Sequence, residues 1–86
     1  NLLTALNVSK NTKLQYLYCF NNAIFGSKMN ALVNSLPKRM ISSKGNFYVI
    51  DLTITDGNKC TPAQVNIAKN KNWKVLNSQG QPYTGN

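Results

Sequence analysis

Apolar and polar positions alternate at two different periods along this chain of 86 residues, and the change of period marks out its elements. From Leu14 to Ile24 the pattern is L-x-x-L-x-C-x-x-N-x-I. Leu17 and Cys19 stand two apart, as the inward positions of a short strand do. Asn22 follows where the chain has to turn, and its side chain can satisfy backbone groups that the turn leaves unpaired. After Gly26 the period lengthens. Met29, Leu32, Val33 and Leu36 form one stripe at helical spacing, with Ser27 expected as the N-cap and Pro37 as the stop. Such a stripe is expected to cover a core. Lys38 and Arg39 would stand by the helix C-terminus, where positive charge is favourable.

A polar turn over residues 42–46, containing Gly45, leads into Phe47–Leu52. That run is nearly continuously apolar and rich in β-branched and aromatic residues, as a strand buried on both faces would be. Residues 53–59 form a polar loop around the turn signal Asp56-Gly57-Asn58. A second helix is expected from Thr61 as N-cap, Pro62 at the first helical position and Gln64 completing a capping box. Val65, Ala68 and Ile67 supply its buried face, and Lys69 and Lys71 gather at its end. Trp73–Leu76 reads as a closing strand, residues 77–80 as a turn, and residues 81–86 as a polar tail that Tyr83 would fold back.

The opening pattern occurs twice. Leu3, Leu6, Val8 and Asn11 recur 11 residues later as Leu14, Leu17, Cys19 and Asn22, although Lys13 stands where the second copy has Ile24. Two half-repeats on opposite sides of one coil make a unit of about 22 residues, within the range of leucine-rich repeats. A single coil of this kind cannot bury its apolar edge; it needs a neighbour on each side. The order strand, helix, strand, helix, strand with short connections implies right-handed crossovers and a parallel sheet. Leu17, Val49 and Val75 are expected as equivalent inward residues, 32 and 26 apart. The fold class is therefore α/β: a leucine-rich-repeat-like right-handed solenoid fragment, with a short parallel sheet and two helices in a C-terminal cap. Residues 1–25 would be the last regular coil, with Leu14, Leu17, Cys19, Asn22 and Ile24 as its core. Residues 26–86 would be the helix-containing cap coils of the same domain. Because the pattern opens in mid-repeat, a longer array is expected. Its unpartnered edge, at Leu3, Leu6 and Val8, would be a place for two copies to join.

Composition narrows the function. Ten Lys and Arg stand against Asp51 and Asp56 alone, a net charge of +8. Such a charge can serve nucleic acid, anionic polysaccharide or an acidic partner, but the lysines are spread along the sequence and only Lys38 and Arg39 are adjacent, which favours a solvated basic surface over all three. There is no histidine, so triads built on a histidine base are excluded. No P-loop, dinucleotide fingerprint or metal cluster is written in the chain. Asp51 ends a strand and Asp56 lies in a turn, which suits structural work better than paired acid–base catalysis. No cofactor is implied, and the chain is expected not to be an enzyme. Cys19 and Cys60 are too few for a disulfide framework. Cys19 fits a small buried apolar position, and a bridge to Cys60 would require their Cα atoms within about 7 Å. The sequon Asn7-Val8-Ser9 coincides with the repeat and is taken as accidental. No apolar run reaches the roughly 20 residues of a membrane-spanning helix.

The stretch from Leu3 to Leu14, followed by Leu17-Tyr18-Cys19 and Asn21-Asn22, resembles the short leucine-rich repeats of secreted and cell-surface proteins of Bacteroides-type bacteria. Met29–Pro37, Asn58–Thr61 and Asn72–Val75 look like the segment that follows those repeats. The resemblance implies export, surface location and binding of a protein or glycan rather than catalysis. Tyr16, Tyr18 and Phe20 alternate with the inward Leu17 and Cys19, so they are the candidate contacts. The competing expectation is a purely structural cap with no ligand of its own.

Overall fold

Backbone pairing joins three short segments far apart in sequence into one parallel sheet. The computed structural model describes residues 3–85; Asn1 and Leu2 of the first expected coil and Asn86 of the tail lie outside them. The elements run β1 (Tyr16–Tyr18), α1 (Ser27–Ser35), β2 (Gly45–Ile50), α2 (Pro62–Asn70) and β3 (Trp73–Asn77). The sheet order is β1-β2-β3, parallel throughout. The α/β class, the parallel sheet and the two helices are therefore as expected from the sequence.

Several boundaries differ, each for a physical reason. Leu17 lies in register with Phe47 and Val75, so the inward residues are spaced by 30 and 28 rather than 32 and 26. The strand begins at Gly45, which the sequence places in a turn, because the Trp73 ring lies over it where a side chain would otherwise project. It ends at Ile50, and Leu52 is exposed. Nor is β2 buried on both faces: Phe47 and Val49 are fully buried, whereas Asn46 and Tyr48 on the other face are only half-buried. Helix α1 is capped by Gly26 with φ +59°, and Ser27 makes no side-chain cap. At the other end of α1 the cation is not Lys38 or Arg39. Lys71 reaches across from the end of α2 and donates from Nζ to the carbonyls of Asn34 and Leu36 at 2.6 and 2.9 Å. Arg39 instead ties Ser43 and the Leu14 carbonyl. Helix α2 starts with the full capping box of Thr61 and Gln64.

One continuous core runs from Val8 through both helices to Tyr83. Cys19, Ile24 and Asn22 are buried in it, while Leu14 and Leu17 pack partly exposed against it. Asn22 behaves as a turn-forming asparagine should: its Nδ2 donates to the Cys19 carbonyl at 3.0 Å, and its Oδ1 accepts from Leu3 N at 3.0 Å. Asn58 repeats the device one layer on. Its Nδ2 donates to the carbonyls of Cys19 and Val49, and its Oδ1 accepts from Ile24 N. The pattern also closes in the backbone: Leu3 O accepts from Ala23 N, and Ile24 O accepts from Lys59 N. Each turn thus lies on the segment before it through an asparagine and the amide that follows that asparagine. The third layer ends differently. Asn77 Oδ1 accepts from the amides of Gln79 and Gln81, and the tail returns along β3, with Asn77 N donating to Gln81 O and Tyr83 N to Val75 O. Tyr83 is buried, so the tail folds back as expected.

Candidate functional site

Alternation along the strands sends every second side chain to the face away from the helices. On β1 those are Tyr16 and Tyr18, which keep 52% and 62% of their surface open to solvent. The register then builds two cross-strand rows, Tyr16–Asn46–Lys74 and Tyr18–Tyr48–Leu76. Tyr18 and Tyr48 stack with ring centroids 4.3 Å apart and planes 1° from parallel. Phe20, just past the strand, meets Tyr18 edge-on at 6.4 Å and is half-buried. The three aromatics expected from the sequence thus share one surface, with Phe20 serving more as a support for Tyr18 than as an open contact.

Tyr48 and Asn46 were missed by the sequence reading. Their signal was present, since Asn46, Tyr48 and Ile50 alternate with Phe47 and Val49. The apolar character of the run masked that alternation. Burial and the neighbouring Tyr18 hydroxyl hold the Tyr48 phenol above its ordinary pKa. The face offers stacked rings, phenol hydroxyls, an amide and one ammonium: groups that hold a ligand by stacking and hydrogen bonding.

The candidate edge residues are separated by the fold. Val8 is 4% exposed, in the core, with its amide bound to Ser35 Oγ at 3.1 Å, and so cannot form an exposed edge. Leu6 packs partly buried against the core, and Leu3 alone of the three is largely exposed. Among the described residues β1 is paired on one side only.

Both carboxylates are occupied by local structure. Asp56 accepts from the amides of Asn21 and Asp51 through Oδ2 and from Asn58 N through Oδ1. Asp51 accepts from the side chain and amide of Thr53 and from the Ser78 hydroxyl; these bonds, the Thr53 ones foremost, pull its pKa below the usual value. Cys19 and Cys60 are buried and no disulfide links them. Burial pushes each thiol up to about 12, so both are protonated at neutral pH. Among the described residues no group of three His, Cys, Asp or Glu side chains is placed to hold a metal ion, and no helix is long and apolar enough to cross a membrane. The chain matches no protein-family model, no curated protein and no solved structure.

Proposed function

We propose that this chain is a non-enzymatic recognition module of the leucine-rich-repeat kind, secreted or held at a cell surface, that binds a protein or glycan on the outer face of its sheet. The observation that carries the reading is the aromatic surface: Tyr16 and Tyr18 stay more than half exposed although a core is available, and Tyr48 stacks beside them. Exposed aromatic clusters usually mark contact surfaces. The two Asn-centred turns, each laid on the preceding segment in the same way, support a right-handed solenoid as the frame. The absence of histidine and the engagement of both carboxylates by backbone amides support binding rather than catalysis.

The second reading, a purely structural cap, is favoured by a different observation: the tail covers part of the outer edge of β3, whereas among the described residues β1 is paired only with β2. In a longer array that edge of β1 would take another coil; in this chain by itself it would take a second copy. Replacing Tyr16, Tyr18 and Tyr48 together by Ala, followed by screening against glycans and surface proteins, separates the readings. Recognition requires a ligand of the native chain that the variant loses while remaining folded. A native chain that binds nothing, and sediments as a concentration-dependent dimer, leaves the cap.

A further inference from the structure

Three lysines from three different segments, Lys44, Lys69 and Lys74, meet at one groove. Lys44 precedes β2, Lys69 lies in the last turn of α2, and Lys74 points outward from β3; with Trp73, Leu76 and Pro82 they line a cleft of about 360 Å³. The groove lies beside the part of β3 that the tail leaves after Tyr83 N has bonded to Val75 O. Its lining combines apolar Trp73, Val75, Leu76 and Pro82 with the three lysines. A cation at Lys69 suits the helix C-terminus, but Lys44 and Lys74 belong to no helix.

The charge here is answered only weakly from within the described fold. Arg39 and Lys71 spend their donors on backbone carbonyls and Ser43, as described above. Asp51 and Asp56 lie beyond the opposite end of β2. At ~3.3 Å per residue, the strand separates Asp51 from Lys44 by about 23 Å and from Lys74, in register with Asn46, by about 16 Å. Both distances exceed the screening length of about 8 Å at physiological salt, so the two carboxylates answer these lysines only weakly.

We propose that this groove, continuous with the aromatic face through Lys74, binds a linear acidic glycan carrying carboxylate or sulfate groups. The inference deepens the recognition reading and rests on it. Lys74 shares a cross-strand row with Asn46 and Tyr16. A chain laid across that row meets aromatic rings and an amide on one side and ammonium groups on the other. Sugar rings use stacking and amide hydrogen bonds, and their acidic substituents use point charges, for which lysine serves. Nucleic acid is disfavoured because the one arginine, which could grip phosphates in bidentate fashion, is already committed to Leu14 and Ser43.

Calorimetry at physiological salt, with the full chain and four probes, tests this. The probes are a polygalacturonate oligosaccharide, a heparin-type sulfated oligosaccharide, a poly-glutamate peptide and an oligothymidylate. The expected result is saturable binding of at least one acidic oligosaccharide, stronger than that of peptide or oligonucleotide. The triple variant K44A/K69A/K74A should weaken it at least tenfold, whereas K10A/K28A/K59A, of equal charge change, should leave it within about twofold. Equal loss in both variants overturns the groove, since bulk charge then explains the binding. Tighter binding of the peptide or the oligonucleotide overturns the glycan assignment. If the lysine variant binds as the native chain does while Y16A/Y18A/Y48A does not, the groove falls and the aromatic recognition surface stands. If no probe binds, the acidic-glycan proposal falls, while the broader recognition reading is judged by its own screen of neutral glycans and proteins.

Discussion

Asn22 and Asn58 do the same job in two layers of the molecule, and the difference between them shows what stacking adds. Both donate from Nδ2 to the Cys19 carbonyl, and both accept from the amide of a preceding segment. Asn58 donates to a second carbonyl, that of Val49, at 2.8 Å, where the second bond of Asn22, to the Phe20 carbonyl, is 3.5 Å long; Asn58 is 1% exposed, against 7% for Asn22. The second turn lies directly on the first. Asp56 takes the Asn21 amide, and Gly57 passes so close that a Cβ there would stand 2.5 Å from the Asn22 carbonyl oxygen. A turn with structure on both sides holds its partners at shorter distances and shields them better from water. The same residue type in the same role should therefore matter more in the inner layer than in the outer.

The largest expected effect strikes both turns together. Cys19 lies three residues before Asn22 and Cys60 two after Asn58, and both thiols are raised from 9.0 to about 12 by burial. A pKa raised by folding gives stability that is fully present below the unfolded value and lost as pH rises toward the folded one. Stability measured by urea titration should hold up to about pH 9 and fall steeply between there and pH 12. A fall that is clearly smaller in a Cys19→Ala/Cys60→Ala variant than in the native chain assigns the difference to the thiols; the loss that remains above about pH 10 belongs to the phenols of Tyr48 and Tyr83, which burial also raises.

Next in size is Asn58→Ala. It strands the Ile24 amide and the Val49 carbonyl in the interior and should cost on the order of 3 kcal/mol in chemical denaturation, since each unsatisfied buried group costs about 1–3 kcal/mol. Gly57→Ala drives a methyl group into the Asn22 carbonyl, and the resulting shift between the turns should cost about 1–3 kcal/mol. Combined with Asn58→Ala it should be less than additive, because both changes loosen the same contact. Asn22→Ala is expected to be the mildest, about 1–2 kcal/mol, as its partners lie nearer to water and the Cys19 carbonyl keeps its bond from Asn58. If Asn22→Ala cost as much as Asn58→Ala, the idea that the inner layer carries the greater load would have to be abandoned.

How much was legible varies with how local the cause is. The helix stripe Met29, Leu32, Val33 was readable because helical neighbours lie three and four residues apart. The cap at Thr61, Pro62 and Gln64 was readable because a capping box is closed within four residues. The cap of α1 was misassigned because Gly26 supplies it by its backbone conformation rather than by a side chain. Asn58 showed only as part of a turn. Its partners, Cys19 and Ile24, are 39 and 34 residues away.

The candidate site follows the same division. Strand periodicity by itself put Tyr16 and Tyr18 on the side opposite Leu17, since successive side chains on a strand must alternate. The pairing register added Tyr48, Asn46 and Lys74, because which residues of three strands share a row depends on how the connections between them fold. The charge is the clearest case. The sequence determined that the chain is strongly basic, and the lysines looked dispersed. Only the tertiary structure brought Lys44, Lys69 and Lys74 to one groove while sending Arg39 and Lys71 to cap carbonyls. Local spacing decides what each element is; long-range packing decides which elements meet, and a binding surface is made of that meeting.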